Sequence, residues 1–263
     1  MPQRMLQPIL ALAALVLFAT GSVAHAHSDN LPDVIERVTP SIVVVGTHAP
    51  LRQPSGDFRG TGFAVADGRH VLTNAHVIPR RLGADDNERL AVFTRAGGDG
   101  DVEPREAEIV AEDSDHDTAL LRISGDPLPA LTLGDSDRVR PGERYTFTGF
   151  PIGMVLGMYP ATHEAMISAV TPIAIPQGRA GQLDPATIRR LSAPYDVFQL
   201  DGTAYPGNSG SPLYDPDDGT VIGILNMVFV KGTKERVIQD PSGIAYAIPI
   251  RHARELIAEA LGD

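Results

Sequence analysis

Three residues of the chain have side chains that could together cleave an amide bond. Ser209 lies in PGNSGSP (206–212), His76 in LTNAHVI and Asp117 in DSDHDTALLRI. Attack on an amide needs a nucleophile, a base within hydrogen-bond reach and a third group that orients the base. The sequence offers one candidate for each part, in the chain order His, Asp, Ser.

The glycines on both sides of Ser209 permit a sharp backbone turn and a close approach of a substrate carbonyl. The N–H groups of Gly207 and Ser209 can then converge on one point, with Asn208 between them, and stabilise a developing oxyanion. Taken alone, a GNSG string is frequent by chance, and a plain surface loop explains it equally well.

The base and the acid each have alternatives. A lone histidine such as His76 is more often a packed or surface residue than a catalyst. Asp117 competes with Asp113 and Asp115, for which a solvated acidic loop is a sufficient explanation. Only Asp117 directly precedes the apolar run TALL, so it alone is anchored at the start of a strand. A buried carboxylate there could hold the imidazole in one tautomer.

Short apolar runs separated by turn signals predict an all-β fold. The Asp67-Gly68 pair between two such runs predicts a two-residue hairpin. The first set of runs, taken as one six-stranded barrel within about 40–125, comprises 41–47, two runs in 60–78, 90–95, 107–113 and 118–124.

A Pro- and Gly-rich connector, 125–143, leads to a second set of strands. This set, taken as a second six-stranded barrel within about 143–250, comprises 144–150, 164–175, 196–201, 211–215, 220–230 and 243–250. Helical spacing predicts a short C-terminal helix over 251–261 and a lead-in helix over 31–38. The polar stretch 176–194 is predicted to be a long surface loop.

The first 26 residues are typical of a secretory signal peptide. Arg4 precedes the uncharged apolar run 9–20, and Ala-His-Ala (24–26) fits a small-x-small cleavage site. We therefore expect a mature domain over 27–263 in the periplasm or secreted, without stable membrane insertion after cleavage. The chain has no cysteine and needs no oxidative folding.

The charge of the chain argues against nucleic acid and anionic membranes as partners. The net charge is −11, and no basic run or aromatic-basic patch occurs. The sequence predicts no metal site and no cofactor.

Four segments resemble a known family when they are taken together and in order. They are GTGFAVADGRHVLTNAHVI (60–78), HDTALLRI (116–123), FQLDGTAYPGNSGSPLYDPDDGTVIGI (198–224) and GIAYAIPI (243–250). With them, residues 31–261 resemble the trypsin-like, chymotrypsin-fold serine proteases, and most of all the HtrA/Deg branch. The resemblance implies two packed six-stranded antiparallel β-barrels followed by a short C-terminal helix.

The resemblance also implies roles for the three candidate residues. Ser209 attacks, His76 acts first as base and then as acid, and Asp117 orients His76. The loop Gly207, Asn208 and Ser209 forms the oxyanion hole. The two barrels then hold the triad between them.

Substrate contacts follow from the same resemblance. The strand around Leu225, Asn226 and Met227 would pair with the substrate backbone in β fashion. Thr203 and Ala204 would border the pocket for the residue before the cut. Glutamyl endopeptidases, which share GNSGSP, have a histidine at the position of Leu225, so we expect no preference for acidic residues. The pocket is expected to take a small or apolar residue.

The expected function is an exported serine endopeptidase acting on unfolded or exposed protein segments, with oligomers possible. The chain ends near the end of the protease domain, so we expect no PDZ domains. The alternative is a dormant protease-fold binding or regulatory module. An α/β-hydrolase esterase is rejected, because that fold places its triad in the order Ser, Asp, His.

Overall fold

The computed structural model describes residues 31–83, 87–96, 101–151, 158–173, 194–226 and 244–262. These residues form two closed six-stranded antiparallel barrels, which confirms the all-β prediction. The first barrel contains β1 (Ile42–His48), β2 (Gly56–Val65), β3 (His70–Thr73), β4 (Arg89–Ala96), β5 (Asp101–Asp113) and β6 (Thr118–Ile123). The predicted loop over 176–194 lies outside the described residues, except for its last position.

The second barrel repeats the topology of the first. Its strands are β7 (Arg144–Gly149), β8 (Ala161–Pro172), β9 (Asp196–Asp201), β10 (Pro212–Tyr214), β11 (Val221–Asn226) and β12 (Ile244–Pro249). Around the first barrel the strand order is β1-β2-β3-β6-β5-β4, and around the second it is β7-β8-β9-β12-β11-β10. The architecture is therefore duplicated, although the sequence contains no visible repeat.

Strand β1 is apolar at consecutive positions because both of its faces are covered. Val43 and Val45 pack with residues of β3, β4, β5 and β6 in the core of the first barrel. Ile42 and Val44 face the other way, into a cluster shared with the helices and the second barrel. A strand buried on both faces loses the alternation of apolar and polar residues.

The hairpin between β2 and β3 is longer than the two residues predicted at Asp67-Gly68. Strand β2 ends at Val65 and β3 begins at His70, so the loop has four residues, 66–69. Ala66 (φ 54°) and Gly68 (φ 77°) are both left-handed. Asp67 Oδ1 accepts hydrogen bonds from Arg69 N (2.9 Å) and His70 Nδ1 (2.7 Å). These side-chain bonds stabilise the wider turn.

Among the described residues, two α-helices flank the barrels: α1 (Leu31–Val38) and α2 (Ile250–Leu261). Both helix predictions are confirmed, and α2 begins one residue earlier than expected. Gly262, at φ 77°, ends α2 and its N–H bonds to Ala258 O. In the described ranges no helix is long and apolar enough to cross a membrane.

His252 on α2 is a buried histidine whose titration should appear in the stability of the fold. Burial, with His116 and Arg251 nearby, lowers the pKa of His252 from 6.5 to about 4. In the unfolded chain His252 is protonated below pH 6.5, whereas in the folded chain it stays neutral until the pH falls to about 4. This histidine therefore contributes stability that is fully present above pH 6.5 and is lost as the pH falls to about 4, amounting to about 3 kcal/mol.

The control is His252→Phe, which keeps a ring but cannot titrate. Urea unfolding of both proteins at neutral pH and near pH 4 compares their free energies of unfolding. The wild type should lose about 3 kcal/mol more than the variant over this interval. Parallel losses in the two proteins would contradict the prediction.

Candidate active site

His76 and Asp117 are in direct contact at the edge of the first barrel. His76 Nδ1 lies 2.7 Å from Asp117 Oδ2, and His76 N donates to Asp117 Oδ1 at 2.9 Å. The carboxylate is buried, with the Asp117 side chain 4% exposed, while that of His76 is 36% exposed. The acid is thus shielded from water while the imidazole remains accessible.

The backbone of Asp117 is held as firmly as its carboxylate. Asp117 adopts φ 52°, which is unusual for a residue other than glycine. Its carbonyl oxygen accepts hydrogen bonds from Asn74 Nδ2 (3.0 Å) and Ala75 N (3.2 Å). The segment before His76 therefore fixes the turn that presents the acid to His76.

Asp113 and Asp115, the other two candidates for the acid, make no described contact with His76. Asp113 Oδ2 pairs with His116 Nδ1 at 2.5 Å, and Asp113 Oδ1 accepts the backbone N–H groups of Asp115 and His116. Asp115 is exposed. The contact with His76 belongs to Asp117, at the start of β6.

Asn226 links the second barrel to this pair. Its Nδ2 donates to Asp117 Oδ2 at 2.8 Å, so that the carboxylate accepts three hydrogen bonds from the residues that the structure describes. The sequence placed Asn226 on a strand beside the substrate backbone, and its side chain additionally positions the acid. Sequence reasoning missed this contact because nothing in the local sequence indicates the partner of a strand-end amide.

Two consecutive tight turns, 205–208 and 208–211, form the Ser209 loop, and Ser209 lies in the second. Asn208 N donates to Tyr205 O (2.9 Å), and Ser211 N donates to Asn208 O (3.0 Å). Gly207 (φ 102°) and Gly210 (φ 88°) occupy the third position of these turns. A positive φ at this position is typical of type II turns and favours glycine. The backbone conformation of the two turns therefore explains why both of these positions are glycine.

Thr61 on β2 joins the first barrel to the Ser209 loop. Its N–H donates to Ser209 O (2.8 Å) and its hydroxyl donates to Gly207 O (2.7 Å). Its Oγ1 also accepts Phe150 N at 3.1 Å. The loop that bears Ser209 is thus tied to the barrel that bears His76 and Asp117.

Glycines let these segments approach closely. A Cβ added to Gly60 would lie 2.7 Å from Val77 Cγ2 and 2.9 Å from Ser209 O, so the residue after His76 and the Ser209 backbone meet there. A Cβ on Gly210 would lie 2.0 Å from Thr61 O. Larger residues at these positions would push the Ser209 loop away from the first barrel.

Comparison with known proteins agrees with this geometry. The family model for the trypsin-like peptidase domain matches residues 60–224, more than half of the chain. The chain belongs to the trypsin-like peptidase family. The match includes the positions of His76, Asp117 and Ser209.

Within this family, the chain is similar to HtrA-type proteins. A probable periplasmic serine endoprotease DegP-like of Halomonas elongata is 29% identical over 208 residues, which cover 78% of this chain and 35% of that protein. Mitochondrial serine protease HTRA2 of Bos taurus is 30% identical over 254 residues, which cover 94% of this chain and 46% of that protein. The chain spans less than half the length of these two relatives.

A solved structure of an HtrA-type protease has a similar fold. HtrA-type protease AlgW with tripeptide superposes with a TM-score of 0.59 at 27% identity, covering 86% of this chain and 62% of that one. The likeness supports the chymotrypsin-like arrangement of two barrels and a C-terminal helix.

Three of the remaining predicted residues, Thr203, Ala204 and Leu225, are described by the structure. Leu225 is buried, and its carbonyl accepts Gly210 N at 2.9 Å, which ties β11 to the loop. Ala204 is buried in the core cluster of the second barrel, and Thr203 is half-buried. Met227 lies outside the described residues.

Gly207→Ala should lower kcat by about 10²–10³-fold, the usual loss of one oxyanion donor. Alanine is strained at φ 102°, by about 1–3 kcal/mol. We expect the turn to relax by rotating the peptide before residue 207, which turns its N–H away. Cleavage of a fluorescently labelled unfolded protein measures the rate.

The matched control is Gly142→Ala. Gly142 has a similar φ of 93° in a loop before β7, and an added Cβ would meet nothing within 4 Å. It carries comparable backbone strain but lies outside the Ser209 loop, so its kcat should be unchanged. Full activity of natively folded Gly207→Ala would exclude the Gly207 N–H as an oxyanion donor.

Proposed function

We propose that this peptidase is an exported serine endopeptidase that hydrolyses peptide bonds through an acyl-enzyme. The observation that carries the proposal is the buried Asp117 carboxylate, which is hydrogen-bonded to His76 from one barrel and to Asn226 from the other. The Ser209 loop is attached to the same junction through Thr61. Several relatives are named serine proteases, which supports the same reaction.

The proposed mechanism assigns one task to each group. Ser209 Oγ attacks the scissile carbonyl carbon while its proton passes to His76 Nε2. Asp117 accepts the Nδ1–H of His76, which keeps Nε2 available as an acceptor and stabilises the imidazolium that forms. The N–H groups of Gly207 and Ser209 donate to the oxyanion. His76 then protonates the leaving amine, and water hydrolyses the acyl-enzyme by the reverse proton path.

We assign the site of action to the periplasm or the exterior. The apolar run 9–20 and the Ala-His-Ala sequence that follows it support export through residues 1–26. Two relatives with periplasmic names are consistent with this compartment. Substrates would be unfolded or exposed protein segments that can add a strand beside the end of β11.

We expect a cleavage profile dominated by small or apolar residues before the cut. The apolar side chains of Ala204 and Leu225 favour this preference, since neither could pair with a charged substrate side chain. Mass spectrometry of the fragments of a digested unfolded proteome measures the profile. Dominant cleavage after Glu, Lys or Arg would contradict the expectation.

The proposal is tested by labelling with a fluorophosphonate, which reacts with an activated serine. Peptide mapping of the full chain should find the adduct on Ser209 and on no other serine, with labelling lost after denaturation. Failure of the folded protein to label, with or without added unfolded protein, would support the dormant binding module instead. Labelling at a different serine would overturn the assignment of the nucleophile.

A further inference from the structure

Arg59 is a charged side chain close to the candidate active site that the proposed mechanism does not use. On β2, Gly60 pairs with Val45 and Phe58 pairs with Gly46. Arg59, between them, therefore has no partner on β1 and is the extra residue of a β-bulge. Bulges bend a strand and re-aim a side chain, and they are frequent next to active sites.

The bulge turns Arg59 toward the segment that carries His76. Arg59 Nε donates to Val77 O at 3.0 Å, and Val77 directly follows His76. The preceding residue, Phe58, packs instead against Phe93 with ring centroids 4.7 Å apart. The guanidinium is thus held beside the candidate base and not against the core of the barrel.

The guanidinium of Arg59 retains donors for a further partner. The side chain is 38% exposed, and among the described residues only its Nε makes a hydrogen bond. Within the same residues one acid, Asp57, lies at ion-pair distance, with Nη1 3.6 Å from Oδ2, which is longer than a hydrogen bond. Because Asp57 is itself 54% exposed, this pair contributes little. Both Nη groups of Arg59 are therefore able to bind another carboxylate.

The placement of the Ser209 loop between two strands indicates which part of a substrate would meet Arg59. Gly210 N donates to Leu225 O on β11 (2.9 Å), and Ser209 O accepts Thr61 N of β2 (2.8 Å). In the proposed function, the residues before the cut lie along the end of β11. The residues after the cut then leave the loop on its other side, across β2.

Gly60 and Val77 form a small apolar surface beside Ser209 on this path. A Cβ added to Gly60 would lie 2.7 Å from Val77 Cγ2 and 2.9 Å from Ser209 O, so no side chain of β2 separates Ser209 from Arg59. An extended substrate advances about 3.3 Å per residue. The guanidinium is therefore within reach of the first three residues after the cut.

We propose that Arg59 selects an acidic substrate residue among the first three after the cut. This inference rests on the proposed endopeptidase function. A carboxylate at that place accepts two parallel N–H bonds from the guanidinium, the geometry that arginine favours, and replaces the weak contact with Asp57. The selection acts on the leaving-group side and is separate from the pocket for the residue before the cut.

Quenched fluorescent peptides test the proposal on the full chain. The peptides share one cleavage site and carry Glu, Gln or Lys at the first, second or third residue after it. The readout is the ratio of kcat/KM for the Glu peptide to kcat/KM for the Gln peptide. At one of the three positions the wild-type ratio should be about five, the upper range for an exposed ion pair, and it should fall in high salt.

Substitutions separate the charge of Arg59 from other effects. Arg59→Gln should bring the ratio to about one, and Arg59→Glu should favour the Lys peptide instead. Asp57→Asn removes the competing acid and should raise the ratio. The matched control is Arg122→Gln, which makes the same charge change on an exposed residue of β6 and should keep the wild-type ratio. Loss of the bond to Val77 O changes the rates for both peptides alike, so a purely structural role of Arg59 would leave the ratio unchanged.

Cleavage without a preference for Glu at any of the three positions would overturn this inference and leave the endopeptidase function standing. A preference that persists in Arg59→Gln, or that disappears equally in Arg122→Gln, would also overturn it, because another residue or the net charge would then be its source.

If the wild type cleaves none of the peptides, the endopeptidase function fails and binding decides about Arg59. Fluorescence anisotropy then compares binding of the Glu and Gln peptides to Ser209→Ala with and without Arg59→Gln. Tighter binding of the Glu peptide that is lost with Arg59→Gln would support the charge selection. Equal binding of the two peptides to Ser209→Ala would overturn it.

Discussion

Ser209→Ala is expected to lower kcat by about 10⁶-fold, the loss typical of a catalytic serine. Without Oγ no acyl-enzyme forms, and only binding and the oxyanion donors remain to assist attack by water. The Ser209 side chain donates no described hydrogen bond to the fold, and the loop is held by backbone contacts to Thr61 and Leu225. The variant should therefore keep the wild-type melting temperature.

His76→Ala should lower kcat by about the same factor as Ser209→Ala. The double variant should lower kcat no further than either single variant, because the two residues act as a unit. Hydrolysis of the labelled unfolded protein measures all three rates. Ser55→Ala and His48→Ala, which change the same residue types in the first barrel, should retain full activity. Losses that multiply in the double variant would mean that the two residues contribute independently and do not share a proton.

The fold was predictable because apolar runs and turn residues alternate along most of the chain. The predictions were less accurate where strands extend beyond their apolar parts. β2 begins at Gly56 and β5 at Asp101, several residues before the runs at 60 and 107. These extensions are mainly polar and pair through backbone hydrogen bonds, as in the register His48↔Gly56. Backbone pairing leaves no signal in side-chain periodicity.

For the candidate site, the sequence indicated the residues but not what holds them. Asp117 could be preferred to its neighbours because a strand start anchors a side chain, and it is the acid that contacts His76. Thr61 and Asn226 could not be found in this way. Each acts across the junction of the two barrels, on a partner more than a hundred residues away. Such contacts depend on how the barrels pack, which no local pattern encodes.

Asp117→Asn is expected to lower kcat by about 10⁴-fold while the protein remains folded. The amide is nearly the same size as the carboxylate, so the packing is preserved. One of its two positions must now hold an NH₂ group. When the NH₂ group faces His76 Nδ1, it donates a hydrogen bond to Nδ1, whereas the carboxylate accepted one from it. Nδ1 must then be unprotonated, so the proton of the neutral imidazole moves to Nε2. An imidazole protonated at Nε2 cannot accept the proton of Ser209.

Asp115→Asn is the matched control, since it makes the same change two residues away on an exposed side chain and should leave kcat unaltered. Asn226→Ala separates positioning from chemistry. It removes one of three hydrogen bonds to the carboxylate, worth about 1.5–3 kcal/mol for a charged acceptor, so its kcat should fall by about 10–100-fold. In ¹H NMR the Nδ1 proton shared by His76 and Asp117 should disappear in Asp117→Asn and persist in Asn226→Ala. If Asp117→Asn lost less activity than Asn226→Ala, the carboxylate would not be the group that orients His76.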